Sequence, residues 1–449
     1  MATTFNFRIK PKAGPLYKQV ADYFRQEIRK GHISSHSLLP SIRALTSDLK
    51  ISRTTAESAY ELLIDEGYVT SIPGKGYQVE QFLPARPKEK QSTQPLPELK
   101  LRYDFSNNYI DTSTFDTSVW RRCLNTALRN PGSIAGYGSH QGELALRQVL
   151  AAYSYSSRGV VTTPEQIVIG AGLQSLLSIL LPILPLQEKI VGLEQPGFPQ
   201  AEETFKNNGW QVKTFMPSKP RKDWPQLLMV SPSNPYKGRA LSEEERTNLI
   251  IASKVSSIFI LEDDYNGEFR YLSTPTSALH SFGNSEQIIY VGSFSRTLLP
   301  SLRISYMVLP KELLPRYREK MAFFNQTSST LEQLALAEYI GQGHLARHVK
   351  KLRSLYKAKN TLLRTALTST FGSKVKILDY ASGMHLRISL AYPLTPPELA
   401  AKALKQGIKI IPIPRLAPPK EPEVLLSFAG IGQNDIPQAI KALKKALEA

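Results

Sequence analysis

The sequence predicts two unlike folded parts: a winged helix-turn-helix over residues 1–82 and, beyond a linker at 83–101, an α/β domain over 102–449 with a mostly parallel sheet and a smaller α+β lobe. Three observations carry this. Apolar residues recur at helical spacing before Phe82; a stretch rich in Pro, Lys and Gln without periodicity, PARPKEKQSTQPLPELK, follows; after it the pattern turns to short continuous apolar runs.

In the first part, Leu16, Val20, Phe24 and Ile28 recur every four residues, and Ala56, Ala59, Tyr60 and Leu63 fall at i, i+3, i+4 and i+7. Each set puts an apolar stripe on one side of a helix. Between them, LPSIRALTSDLKISRTTAES reads as a short helix after Pro40, a break at KIS and a new helix capped by Ser52. The segment YVTSIPGKGYQV, apolar at both ends with a Pro-Gly-Lys-Gly turn between, reads as a β-hairpin. Two helices across a tight turn, then a hairpin, make a winged helix-turn-helix.

In the second part, QIVIG, KIVGL, QLLMV, SSIFIL and QIIYVG are apolar throughout and are separated by helical or turn-rich stretches. Strands of this kind belong to a parallel sheet covered by helices on both faces. From about Pro310 the helices lengthen, and further short strands near VKIL, MHLRISL and EVLLSFA predict the second lobe.

Composition narrows the function classes. The 449 residues are 41% hydrophobic and 21% charged, the balance of an ordinary globular protein. No apolar run approaches the roughly 20 residues that cross a bilayer, and MATTFNFRIKPK lacks the apolar core of a secretory signal, so a cytoplasmic protein with no membrane partner is expected. A single cysteine, Cys123, excludes an internal disulfide and reads as a small buried side chain. The net charge of +18 points to a polyanionic partner; up to Phe82 there are 11 basic against 8 acidic residues, and 45 against 30 follow, so most of the excess lies in the larger part.

In a helix-turn-helix the first residues of the second helix enter the major groove. Here these are Ser52, Arg53, Thr54 and Thr55. Arg53 can make a bidentate contact to guanine or grip a phosphate, and the threonines can meet a base edge, a phosphate or a thymine methyl. Ser41 and Arg43, at the start of the preceding helix, sit where backbone contacts are usual, and Lys75 at the hairpin tip could reach an adjacent groove. The string PLYKQVADYFRQEIRKGHI…LLPSIRALTSDLKISRTTAESAYELLIDEGYV…GKGYQV resembles the GntR family of bacterial winged-helix regulators over nearly the whole first 80 residues. That resemblance implies a transcription factor acting on a double-stranded DNA operator, with a larger domain that senses a small molecule.

Open α/β sheets bind ligands at the carboxyl ends of their strands, with phosphates against helix N-termini. IGAGLQSLL places Gly172 and the amides of Leu173 and Gln174 at the opening of a helix, a cradle for phosphate. VSPSNPYKG places Asn234 after a strand, ILEDDYNGEFRY places Asp263 and Tyr265 after another, and VGSFSRTLLPSLR adds Ser293, Ser295 and Arg303 after a third. Each fragment alone is commonplace. In this order and spacing, from about Tyr137 in YGSHQGELALR to about Phe428, they resemble fold-type-I aminotransferases, which use pyridoxal 5′-phosphate (PLP). With its GntR-like head, EDDYNGEFRY and FSRTLLPSLR, the chain is identified as a member of the MocR/GabR subfamily of regulators.

The resemblance implies roles. Asp263 resembles the carboxylate that pairs with the pyridine nitrogen, Tyr265 the phenol that bonds the ring oxygen, and Arg303 the arginine that holds the phosphate, with Ser293 and Ser295 as further donors. Tyr137 resembles a residue that reaches the cofactor phosphate of a neighbouring subunit, which implies a homodimer. Three departures stand out. Phe198 occupies a position where relatives carry tyrosine; Leu425 replaces the arginine that holds the substrate's carboxylate, leaving Arg387 or Arg415 as substitutes for effector binding; and Arg296 stands where the PLP-anchoring lysine belongs. A guanidinium stays protonated and is a poor nucleophile, so Arg296 cannot form the imine that lysine forms. Three readings remain open: PLP, or PLP already condensed with an amine, is bound without a covalent link; the guanidinium fills the pocket and the cofactor has been lost; or the arginine is an engineered substitution in a lysine-bearing parent. The expected function is an amino acid- or amine-sensing transcription regulator that is not an enzyme, against two alternatives: an aminotransferase carrying a DNA-binding domain, and a PLP-independent regulator with an inert scaffold.

Overall fold

The computed structural model describes residues 14–81, 101–106, 109–129, 131–133, 135–195, 197–218, 224–232, 240–269, 277–282, 286–379, 383–413 and 421–449. The chain divides into two compact units, Met1–Glu98 and Leu99–Ala449. Of the expected linker at 83–101, all but Leu101 falls outside the described residues.

The first unit is three helices and a hairpin: α1 (Leu16–Arg29), α2 (Ile42–Leu49), α3 (Arg53–Asp65), β1 (Val69–Ile72) and β2 (Gly76–Val79). The expected stripes are its core. Val20, Phe24 and Ile28 of α1 face Ala56, Ala59, Tyr60 and Leu63 of α3, all buried. Helix α2 begins at Ser41, whose Oγ accepts from Ala44 N at 3.2 Å, and stops at Lys50, whose left-handed φ of 50° breaks the helical path. Ser52 then caps α3 by accepting from Thr55 N at 3.1 Å. Two long-range contacts set the angle between the helices: Tyr60 Oη donates to Pro40 O at 2.7 Å, and Arg25 reaches both carboxylate oxygens of Glu66 at 2.8 Å. The antiparallel hairpin pairs Val69 with Val79 and turns through Gly74 and Gly76, both at positive φ.

The second unit runs β3 (Tyr103–Asp104), α4 (Thr117–Leu128), α5 (Leu144–Arg158), β4 (Ile167–Gly170), α6 (Leu173–Leu180), β5 (Ile190–Glu194), α7 (Pro199–Asn207), β6 (Gln211–Phe215), β7 (Leu227–Val230), α8 (Glu243–Ser256), β8 (Phe259–Asp263), β9 (Ile288–Ser293) and β10 (Ser305–Val308). It continues with α9 (Leu314–Lys320), α10 (Thr330–Gly341), α11 (His344–Phe371), β11 (Val375–Asp379), β12 (His385–Leu390), α12 (Pro396–Lys405), β13 (Ile408–Lys409), β14 (Ile411–Pro412), β15 (Glu423–Ser427) and α13 (Ile436–Glu448). The large sheet has the order β4-β10-β9-β8-β7-β5-β6, and all neighbours are parallel except β10, which runs against both β4 and β9. All five apolar runs of the sequence are strands of this sheet. The sequence reading assigned neither β6, an edge strand whose residues are mostly exposed, nor β10. The smaller lobe is the antiparallel sheet β11-β12-β15-β14 packed with α11, α12 and α13.

The end of β8 carries three acids in succession, and strand alternation separates them. Glu262 is buried and accepts from Leu279 N at 2.6 Å and His280 N at 3.0 Å. Asp264 is buried against Arg158 Nε at 2.5 Å and takes the Tyr290 hydroxyl at 3.1 Å. Arg158 also donates to Gly267 O at 3.1 Å, and a Cβ on Gly267 would come within 2.6 Å of that guanidinium, so the turn needs glycine. Removing one partner of a buried ion pair strands the other charge in a poor dielectric. Arg158→Met is expected to destabilise the protein by about 3–5 kcal/mol, read by urea denaturation; unchanged stability would show the pair to be dispensable.

Candidate functional site

Among the described residues, each unit carries a concave site whose wall includes expected residues. In the first unit a groove of about 450 Å³ is bordered by Ser41, Ile42, Arg43, Thr46, Arg53, Gly76 and Tyr77. It joins the starts of α2 and α3 to the turn end of the hairpin. Ser41, Arg43 and Arg53 are therefore brought together as expected, and Thr46 and Tyr77 join them without having been foreseen from sequence. Thr54 and Lys75 are exposed, whereas Thr55 is half-buried and bonded to Ser52 at 2.7 Å. The Arg53 guanidinium is exposed and rests on Glu57 at 2.8 Å, an i,i+4 pair that water screens strongly.

In the second unit a cavity of about 500 Å³ opens at the carboxyl ends of β8 and β9. Nine of the expected residues line it: Gly172, Leu173 and Gln174 at the start of α6, Asp263 and Tyr265 after β8, and Ser293, Ser295, Arg296 and Arg303 after β9. Phe198 lines it as well. The sequence reading missed Ser106, Gln200, Val291, Ser305, His385, Lys409 and Ile411, which complete the wall beside Leu425. Lys409 had a legible signal: a lone charge between Ile408 and Ile410 marks a strand with one polar face.

The corner at α6 is built for an anion. Gly172 has φ +92°, and a Cβ there would stand 2.7 Å from Arg303 Nη2, so only glycine lets the guanidinium lie against the first turn of the helix. Arg303 is held by donating to Ala171 O at 3.1 Å. The first amides of α6 lack intrahelical acceptors and share this corner. Ser293 Oγ accepts from Ser295 N at 3.3 Å and from Ser305 Oγ at 3.0 Å.

Opposite in character is Asp263. Burial, and then the neighbouring Asp264, push its carboxyl up to about 7. A cation arriving beside it would favour the ionised form. His385 is driven the other way, to about 3, by burial and then by Arg296, so the imidazole is neutral at physiological pH. Its Nδ1 and the Oγ of Ser106 are buried without hydrogen-bond partners among the described residues. Polar atoms left so in a cavity wall fit a polar ligand.

Other expected residues are placed elsewhere. Tyr137 is 99% exposed and does not line the cavity of its own chain. Arg387 does not line it either, because Glu423 takes its guanidinium through Nε at 2.8 Å and Nη2 at 2.6 Å; the expectation that Arg387 receives an effector carboxylate is corrected accordingly. Asn234 and Arg415 fall outside the described residues.

Residues 105–443 match the family model described as aminotransferase class I and II, and residues 16–79 match that of bacterial regulatory proteins, gntR family. A Bacillus subtilis (strain 168) protein described as an uncharacterized HTH-type transcriptional regulator, YdeL, is 37% identical, with 96% of each chain covered. The chain belongs to the MocR/GabR subfamily of DNA-binding transcriptional regulators. The Rhizobium meliloti protein named as a probable rhizopine catabolism regulatory protein, MocR, is 28% identical over 96% of this chain and 94% of its own. Among solved structures, LysN, the α-aminoadipate aminotransferase of Thermus thermophilus complexed with N-(5′-phosphopyridoxyl)-L-leucine, aligns with a TM-score of 0.68 over 78% of this chain and 92% of its own. At 22% identity that likeness concerns the fold. The MocR/GabR regulators thus pair a GntR head with an aminotransferase-like domain, whose fold family uses PLP.

Because the carboxyl of Asp263 stands at about 7 in the folded chain against an ordinary 3.8, folding favours its protonated form. Its contribution to stability is fully present below about pH 4 and is lost as pH rises through about 7. Asp263→Asn, measured calorimetrically without added ligand, is expected to stabilise the protein by about 1–3 kcal/mol at pH 8, with the gain narrowing toward pH 5. A variant less stable than the parent at pH 8 would overturn the assignment.

Proposed function

We propose that this chain is an effector-responsive regulator in which residues 1–82 bind a DNA operator and residues 102–449 sense an amino acid or amine through a PLP-type pocket that cannot perform transamination. The observation that carries the reading is the composition of one cavity: Gly172, Asp263, Ser293, Ser295, Arg303 and Arg296 all line it. When bound, PLP supplies an aldehyde and a ring that draws electrons. The residues present fit it. Arg303, Ser293, Ser295 and the α6 amides would hold the phosphate, Asp263 would keep the ring nitrogen protonated, and Tyr265 would bond the ring oxygen.

What the pocket lacks decides the function. Arg296 occupies the place of the anchoring lysine, and its guanidinium neither attacks an aldehyde nor gives up a proton for transfer at the substrate carbon. Ligands are held by non-covalent contacts alone, so occupancy changes with effector concentration and is available as a signal. The near-complete exposure of Tyr137 supports a homodimer in which this side chain serves the partner's pocket. In the first unit, Arg53, Thr54 and Thr55 would enter the major groove while Ser41, Arg43 and Lys75 hold the backbone, and paired heads would read two half-sites. A cytoplasmic location accords with this role.

Arg53→Ala is expected to weaken operator binding and, for a guanine contact, to relax preference at one base pair by about 1–3 kcal/mol. Unchanged footprints would remove Arg53 from the interface. Arg296→Lys is expected to gain a borohydride-trappable pyridoxyl adduct at residue 296, seen by peptide mass spectrometry, whereas the parent chain shows none; an adduct on the parent would defeat the non-covalent reading. Arg303→Ala is expected to abolish the rise in melting temperature that PLP produces in the parent, and a rise that survived intact would place the phosphate elsewhere.

A further inference from the structure

The geometry points to Lys409 as the cation that receives the carboxylate of an amino-acid effector, an assignment that rests on the pocket reading above. The cavity has two walls of different origin. Arg303, from the segment after β9, stands at the end where Gly172 and α6 form the anion corner, while Arg296 of the same segment lies close enough to His385 to add to burial in holding its imidazole neutral. A further part of the wall is contributed by the small lobe, through His385, Ile411 and Leu425, together with Lys409 from β13. A ligand joining PLP to an amino acid carries an anion at each end, phosphate and carboxylate, and needs a cation at each.

Among the described residues of the small lobe, the other candidates are apolar, paired or neutral. Leu425 is apolar, and Arg387, in register with it on β12, is taken by Glu423 through two nitrogens. His385 is buried and neutral. Lys409 is half-buried, and among the described residues no acid pairs with its ammonium. Asp104, its register partner on β3, turns Oδ1 instead to Ser106 N at 2.7 Å. The backbone is pinned as well, since Phe105 N donates to Lys409 O at 2.8 Å, which fixes where the side chain starts. A half-desolvated, unpaired ammonium facing a polar cavity favours an anion, and a charge-assisted bond to a carboxylate is stronger there than in open water.

The test uses two reduced adducts that differ by one carboxylate, N-(5′-phosphopyridoxyl)glycine and N-(5′-phosphopyridoxyl)methylamine, titrated calorimetrically into the full-length protein. The parent is expected to prefer the glycine adduct by about tenfold or more. Lys409→Met and Lys409→Gln should bind both adducts alike, with affinity for the methylamine adduct unchanged, and Lys409→Arg should restore the preference. A preference that survives in the Met and Gln variants, or is missing from a parent that binds both adducts, overturns the assignment while leaving the pocket reading intact. Failure of the parent to bind either adduct sinks both. A pyridoxyl group trapped on Lys409 after PLP and borohydride would also overturn it, by making the residue a covalent anchor.

Discussion

The buried pair between Arg158 and Asp264 is the constraint on which the ligand cavity rests. Successive residues of an extended strand point to opposite sides, so an acid tied down on one side commits its neighbour to the other. Asp264 is held by Arg158 and Tyr290, and Glu262 by two backbone amides, so Asp263 between them faces the cavity. Three consecutive acids could not all ionise in one dry space. Here Glu262 and Asp264 receive donors from the protein while Asp263 faces the cavity, and burial pushes the carboxyls of both Glu262 and Asp263 up to about 7.

The same division of labour extends across the cavity. The large lobe supplies an anion corner whose geometry depends on a glycine too small to displace Arg303. The small lobe supplies a wall whose histidine is uncharged, and its Arg387, outside that lining, is neutralised by Glu423. Charge at this site is therefore distributed by pairing rather than by number, and the excess of basic residues in the larger part of the chain does not by itself describe the pocket. The DNA-binding unit follows a simpler rule. Its core is one stripe per helix, and its polar residues are free to line a groove because caps and long-range bonds, such as Tyr60 to Pro40, hold the helices at their angle.

Much of this was legible beforehand. Both helical stripes of the first unit and the cap at Ser52 were readable because local periodicity and capping act within a few residues. The five apolar runs were readable as strands because burial on both faces leaves no polar positions. Strand β6 escaped because an edge strand has few buried positions, and β10 because its direction is decided by its two neighbours. Among the described candidate site residues, those in the motifs at the start of α6 and after β8 and β9 line one cavity. Arg387 misled, since its charge was visible and its partner Glu423, 36 residues away, was not. Lys409, Ser106 and His385 were missed for the converse reason: each enters the cavity from a strand or segment that carries no motif.

By itself, then, the sequence determined the two folding units and the motif residues at the strand ends, since these follow from local pattern. Only the tertiary structure decided which charges are consumed inside the protein and which face the cavity. The reason is physical: pairing and burial depend on distances between residues far apart in the chain, and no local pattern encodes those distances.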